Sequence, residues 1–173
     1  MILCPICGSQ NISGDDECAD CGQPLDESHL APPSNDLEES LLRDRISLLD
    51  PKRPITVHPT TPVGEVMRLM AQRRIGCVVV AEGDQAVGIF SERDALRKLG
   101  ANAAAMAARP ISELMTPNPQ TLVADAKIAF AVQRMDLGGY RHLPVVGSQG
   151  ELVGIISARD ILRHLTDKLA RQV

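Results

Sequence analysis

The sequence predicts a mixed α/β (α+β) fold. Two copies of one unit pack about a pseudo-twofold axis, preceded by a small four-cysteine knuckle and a linker helix. Three observations predict it. Residues 87–99 recur as residues 153–165, with nine of 13 positions identical. Short β-branched runs such as Val78-Val79-Val80 and Val145-Val146 are bounded by Gly, which reads as strands covered by helices. Two Cys-x-x-Cys pairs crowd into the first 21 residues. The expected partition is 1–24 metal knuckle, 25–50 linker and amphipathic helix, 51–109 first repeat, 110–168 second repeat and 169–173 tail.

Composition narrows the functions. The chain has 173 residues, 44% hydrophobic, enough for a buried core. Aromatic residues are 2%, with no Trp, which argues against base stacking on single-stranded nucleic acid. The longest apolar runs, such as 103–108, are far short of the roughly 18–20 residues a membrane span needs. With no export signal visible at the N-terminus, a cytoplasmic location is expected. The net charge of −4 averages two opposites: residues 1–42 hold nine acids and no Lys or Arg, and residues 43–173 carry +5. Such asymmetry points to two segments with separate jobs.

In the knuckle, Cys4-x-x-Cys7 and Cys18-x-x-Cys21 place four thiolates where a tetrahedral ion needs them. Gly8 and Gly22 follow the pairs and allow the positive φ that turns backbone N–H groups toward sulfur. Without an export signal, disulfides are the weaker reading. So short a segment has almost no core, and metal must supply its folding energy. Zn²⁺ is the expected ion, in a closed structural or partner-recruiting site resembling the small zinc ribbons appended to many proteins. Iron in a rubredoxin-like redox site is the alternative, although no aromatic residue precedes Phe90 to wrap it. A nucleic-acid-associated zinc-ribbon regulator is the third reading, and the acidic charge opposes it.

Residues 23–35 read as a Pro-rich linker. A helix over 36–50 follows, with Leu37, Leu41, Leu42, Ile46 and Leu49 on one face and Asn35 or Asp36 as cap. Each repeat then predicts an extended entry (55–57; 121–123), a helix (62–73; 126–137), a buried strand (77–81; 143–146), a Gly-containing turn and a second strand (86–90; 152–156). A helix opens at Ser91 or Ser157. The offset between copies is 65 early and 66 late, and Val79-Val80 matches Val145-Val146 at 66. The extra residue is therefore expected near Gly138-Gly139.

Gly-x-x-Ser-x-x-Asp occurs twice, ending at Asp94 and Asp160, and Arg141-His142-Leu143-Pro144-Val145-Val146 precedes the second copy. These motifs resemble a tandem pair of CBS domains, a Bateman module, over about residues 51–167. The resemblance implies a non-enzymatic regulatory or sensor protein. It implies a cleft for an adenine nucleotide or other adenosyl ligand: AMP, ADP, ATP, NAD or S-adenosylmethionine. It also implies a homodimer formed through the paired helices, for which Val63, Met67, Met70, Phe130 and Val132 are candidates, with an unidentified protein partner. Read alone, each Ser-x-x-Asp is equally a helix-capping box. In the family the Asp accepts ribose hydroxyls and the Ser reaches ribose or phosphate. The main cleft would take Ile155, Ser157, Asp160, Arg141 and His142 from the second repeat and Thr61, Val66 and Val87 from the first. The second, weaker cleft would take Ile89, Ser91 and Asp94 with Lys127 and Val153. There, Ala126 and Lys127 stand where Thr61 and Pro62 stand, and Ile75-Gly76 replaces the Arg-His pair. No catalytic constellation is expected.

Overall fold

The computed structural model describes residues 2–4, 8–12, 14–25 and 33–171. It is a mixed α/β fold whose chain divides into two compact units, residues 53–119 and residues 1–52 together with 120–173. The chain opens with a short antiparallel pair, β1 (Ile2–Leu3) and β2 (Gln10–Asn11), and then α1 (Asp36–Arg43). As expected, Asn35 caps α1, its side chain accepting from the Glu38 amide.

In the contiguous unit, β3 (Thr56–Val57) lies parallel to β4 (Cys77–Glu82), and α2 (Val63–Arg73) makes the crossover. β5 (Gln85–Ser91) returns antiparallel. Beyond it come a helical turn, α3 (Glu92–Asp94), a π-turn at Ala95–Leu99, a 3-10 turn at Gly100–Asn102 and α4 (Ala103–Met106). β6 (Thr116–Pro117) closes the sheet, order β3-β4-β5-β6. Val63, Val66, Val78, Val80, Phe90 and Ile111 form its core. Burying a side chain of this size contributes about 1.5–3 kcal/mol.

The other unit repeats the plan with β7 (Leu122–Val123), α5 (Ile128–Gly138), β8 (His142–Val146), β9 (Leu152–Ser157) and α6 (Ala158–Ala170). Ile46, Leu122, Ile128, Leu143 and Ile156 are buried at its centre, with Cys4 and Cys18 in the same cluster.

Four expectations need correction. The helix over 36–50 is broken: α1 stops at Arg43, Asp44 is extended, and a 3-10 turn covers Ile46–Leu49. The break lets this segment bond across to the second repeat, Ile46 N–H to the Ala126 carbonyl, Ser47 N–H to Ala124 and Ile128 N–H to Asp44. Residues 109–112 repeat this pattern, with Ile111 N–H to Thr61, Ser112 N–H to Pro59 and Val63 N–H to Arg109. The structural repeat thus reaches back to residue 44, into the expected linker, and each unit is completed by the segment preceding the other repeat.

Second, the helix after Ser91 breaks into short turns around Gly100, which has φ 49°. Its counterpart α6 has Thr166 there and runs 13 residues without a break, through Leu169 and Ala170 of the expected tail. Third, the extra residue lies in the β8–β9 turn and not near Gly138. Val80 faces Gly88 as Val145 faces Gly154, so β4 and β8 match at offset 65. Fourth, Val63 and Met70 are buried in the core of their own unit and cannot serve as dimer contacts, whereas Val132 is exposed.

Candidate functional site

Among the described residues, three places carry chemistry-bearing side chains. The first is the knuckle. The Cys4 N–H bonds to the Ser9 carbonyl and the Gly8 N–H to the Cys4 carbonyl. The Cys18 N–H and the Gly22 N–H repeat this with Gln23 and Cys18. Gly8 and Gly22 have φ of 78° and 67°, the left-handed turn expected of them. The Sγ atoms of Cys4, Cys18 and Cys21 lie within 4.8 Å of one another, with Cys4 and Cys21 at 3.6 Å. Thiolates sharing one Zn²⁺ at about 2.3 Å sit about 3.8 Å apart, so these three fit a tetrahedral ion. Cys7 lies outside the described residues, as do residues 26–32 of the linker.

Asn11 is a sulfur partner that no spacing in the sequence marks. It is buried, donates to Cys18 Sγ at 3.6 Å and to the Ser9 carbonyl, and accepts the Ala19 N–H at 3.0 Å. It ties one knuckle to the other and orients a sulfur.

The second place is the start of α6. Both Ser-x-x-Asp motifs form complete capping boxes. Asp160 Oδ2 accepts the Ser157 N–H at 2.8 Å and its hydroxyl at 2.6 Å. Its Oδ1 accepts from Arg163 at 3.1 Å, a side chain 62% exposed. His142 lies directly across from Ser157, and Ile155 exchanges backbone hydrogen bonds with Lys52. The Arg141 carbonyl accepts the Ala158 N–H at 3.0 Å. The structure thus brings Arg141, His142, Ile155, Ser157 and Asp160 to one end of β8 and β9.

Around Ser91 the arrangement differs. Asp94 Oδ2 accepts the Ser91 N–H and hydroxyl, and Oδ1 accepts from Thr116 Oγ1 at 3.1 Å and Lys98 Nζ at 3.2 Å. Burial alone would raise the Asp94 carboxyl, but the Ser91 and Lys98 contacts hold it below its usual range. Ile89 pairs with Thr116. Because the strands match at offset 65, Gly76 is the counterpart of Arg141, and Cys77 that of His142, not Ile75-Gly76 as expected. The Glu92 N–H indeed bonds the Gly76 carbonyl at 3.0 Å. Burial, then the Glu92 charge, pushes the Cys77 thiol up to about 12, the property of an inert core residue.

The remaining expected residues are distributed by unit. Thr61 precedes α2 and its carbonyl accepts the Ile111 N–H; Val87 is half-buried in β5; Val66 is fully buried in its own core. Lys127 is half-buried before α5, where desolvation lowers its pKa, and Val153 is exposed on β9.

A third cluster lies outside every expectation. Asp44 Oδ2 accepts from Ser40 Oγ at 2.5 Å, His164 Nε2 at 2.9 Å and Lys168 Nζ at 2.9 Å. It fastens α1 to α6.

The CBS domain model matches residues 49–101 and 111–167. A CBS domain-containing protein of Arabidopsis thaliana is 33% identical over 120 residues, 69% of this chain. The chain spans about a fifth of that relative's length, 21%. Among solved structures, a CBS domain protein from Pyrobaculum aerophilum, complexed with AMP, is 30% identical with a TM-score of 0.60, covering 71% of this chain and 98% of that one. The CBS domain pair of protein MJ0100, in complex with 5-methylthioadenosine and S-adenosyl-L-methionine, is 27% identical with a TM-score of 0.59, covering 68% and 91%. Among the described residues, no helix is long and apolar enough to cross a membrane.

Proposed function

Because the chain belongs to the CBS-domain family, we propose that it is a non-enzymatic sensor that binds an adenosyl ligand at the start of α6. The observation that carries this reading is the Asp160 carboxylate. One of its oxygens is spent on the Ser157 cap, and the other, among the described residues, meets only the exposed, easily displaced Arg163. That second oxygen can accept ribose hydroxyls. Arg141 and His142, at the same end of the strands, are the proposed phosphate contacts. AMP, ADP, ATP, NAD and S-adenosylmethionine all present the adenosyl group this site would hold.

The knuckle is proposed to hold Zn²⁺ through Cys4, Cys7, Cys18 and Cys21. Bound zinc keeps the thiols deprotonated and supplies folding energy to a segment with little core of its own. As a closed four-thiolate site it serves structure or partner recruitment, not catalysis. Exposed Val132 and Leu137 on α5, with Leu162 and Leu169 on α6, support self-association.

The test is a melting curve with each ligand. At 100-fold its Kd a ligand adds about 2.7 kcal/mol, roughly 5–10 °C for this size. Asp160→Ala should abolish most of the shift; an undiminished shift would refute the assignment. Metal analysis finding iron in a coloured protein would replace the zinc reading.

A further inference from the structure

The two capping boxes share the Ser N–H and hydroxyl bonds to Asp Oδ2 and are unequal in the oxygen left over. In the second repeat Asp160 Oδ1 meets, among the described residues, only Arg163. In the first, Asp94 Oδ1 is taken by Thr116 Oγ1 and Lys98 Nζ. Lys98 is itself fixed: its ammonium donates to the Leu114 carbonyl at 2.8 Å and the Met115 carbonyl at 3.0 Å. An ammonium with four acceptors around it, the Leu114 and Met115 carbonyls, Thr116 Oγ1 and Asp94 Oδ1, is not displaced as a solvated surface partner is.

Both donors are absent from the second repeat. The residue matching Lys98 is His164, which turns instead to Asp44 and Ser40. The residue matching Thr116, opposite Ile155 as Thr116 is opposite Ile89, is Lys52, which pairs with Asp50.

We infer that Lys98 and Thr116 are a built-in occupant of the first repeat: they fill the acceptor that a ribose would need, so the chain takes one adenosyl ligand and not two. Asp94 is then a strut holding the turn after β5 to β6, and Lys98 and Thr116 set the stoichiometry. This rests on the reading of Asp160 as a ribose acceptor, and the two can fail separately.

The experiment is calorimetric titration of the full chain with AMP. The wild type should bind one AMP per chain, Asp160→Ala none, and Lys98→His with Thr116→Val two. Asp94→Asn should lower the melting temperature and leave the wild-type AMP affinity within about twofold. Two AMP per wild-type chain would overturn the inference, as would a double variant that still binds one while Asp160→Ala binds none. If the wild type binds none and the double variant binds one, the inference stands and the Asp160 reading falls. If neither binds, both fall. Should the double variant not fold, Thr116→Val alone, which removes one of the two donors, is expected to show a weaker second site; one without it overturns the inference.

Discussion

Replacing Asp44 with Asn removes a charge from a point where three donors converge. Taken alone, burial would raise the Asp44 carboxyl; hydrogen bonds from Ser40, Lys168 and His164 outweigh it and bring it from 3.8 to about 2. Its side chain is 19% exposed, so screening is partial. A depression of this size corresponds to about 2 kcal/mol, or about 1–2 kcal/mol after allowance for solvent. The folded-state pKa is the lowered one, so this stability is fully present above pH 4 or so and is lost as pH falls through about 2. At pH 7 the variant should therefore be about 1–2 kcal/mol less stable, a melting shift of roughly 3–8 °C. The deficit should close as the pH is lowered from 4 toward 2. Urea unfolding of wild type and variant, side by side at pH 7, 5 and 3, reads the difference. Metal loss in acid affects both chains and cancels in the comparison. A deficit that does not change with pH, or none at pH 7, would refute the reasoning.

Two glycines at matched positions should respond unequally. A methyl at Gly154 would come within 2.7 Å of Pro51 Cβ, a rigid ring, and would push the Pro51-Lys52 edge away from β9, costing roughly 2–3 kcal/mol. At Gly88 the obstacle is the flexible Met115 side chain, which can swing aside, so Gly88→Ala should cost less; urea midpoints in the opposite order would contradict this. Asn11→Ala should speed zinc loss to a chelator by about 10–100-fold, because Cys18 loses its orienting partner. An unchanged release rate would mean the amide does not matter to the metal.

How much of this was legible depended on distance along the chain. The capping boxes were readable because Ser and Asp lie three residues apart and carry their geometry with them. The knuckle turns were readable for the same reason. The strand register was not: a run of valines matches its partner equally well when slid by one residue. Only the hydrogen-bond ladder shows that His142 corresponds to Cys77. The Ile46-Ser47 and Ile111-Ser112 correspondence was hidden because an amphipathic helix already accounted for the leucines around Ile46. Asp44 and His164 are 120 residues apart, and nothing local marks them as partners. Lys98 reads in sequence as one more basic residue on a helix; its role appears only when the turn before β6 supplies the Leu114 and Met115 carbonyls.

The division of the chain also bears on the order in which it can fold. Residues 53–119 form a unit from one continuous stretch, set inside another built from both ends. During synthesis the inner unit has every residue it needs before residue 120 is made. The outer one must wait for β7, α5, β8, β9 and α6, and until then Ile46, Leu49 and the cysteine-bearing arm have no partner surface. The arm before residue 53 therefore stays uncovered until the strands and helices after residue 120 have been made.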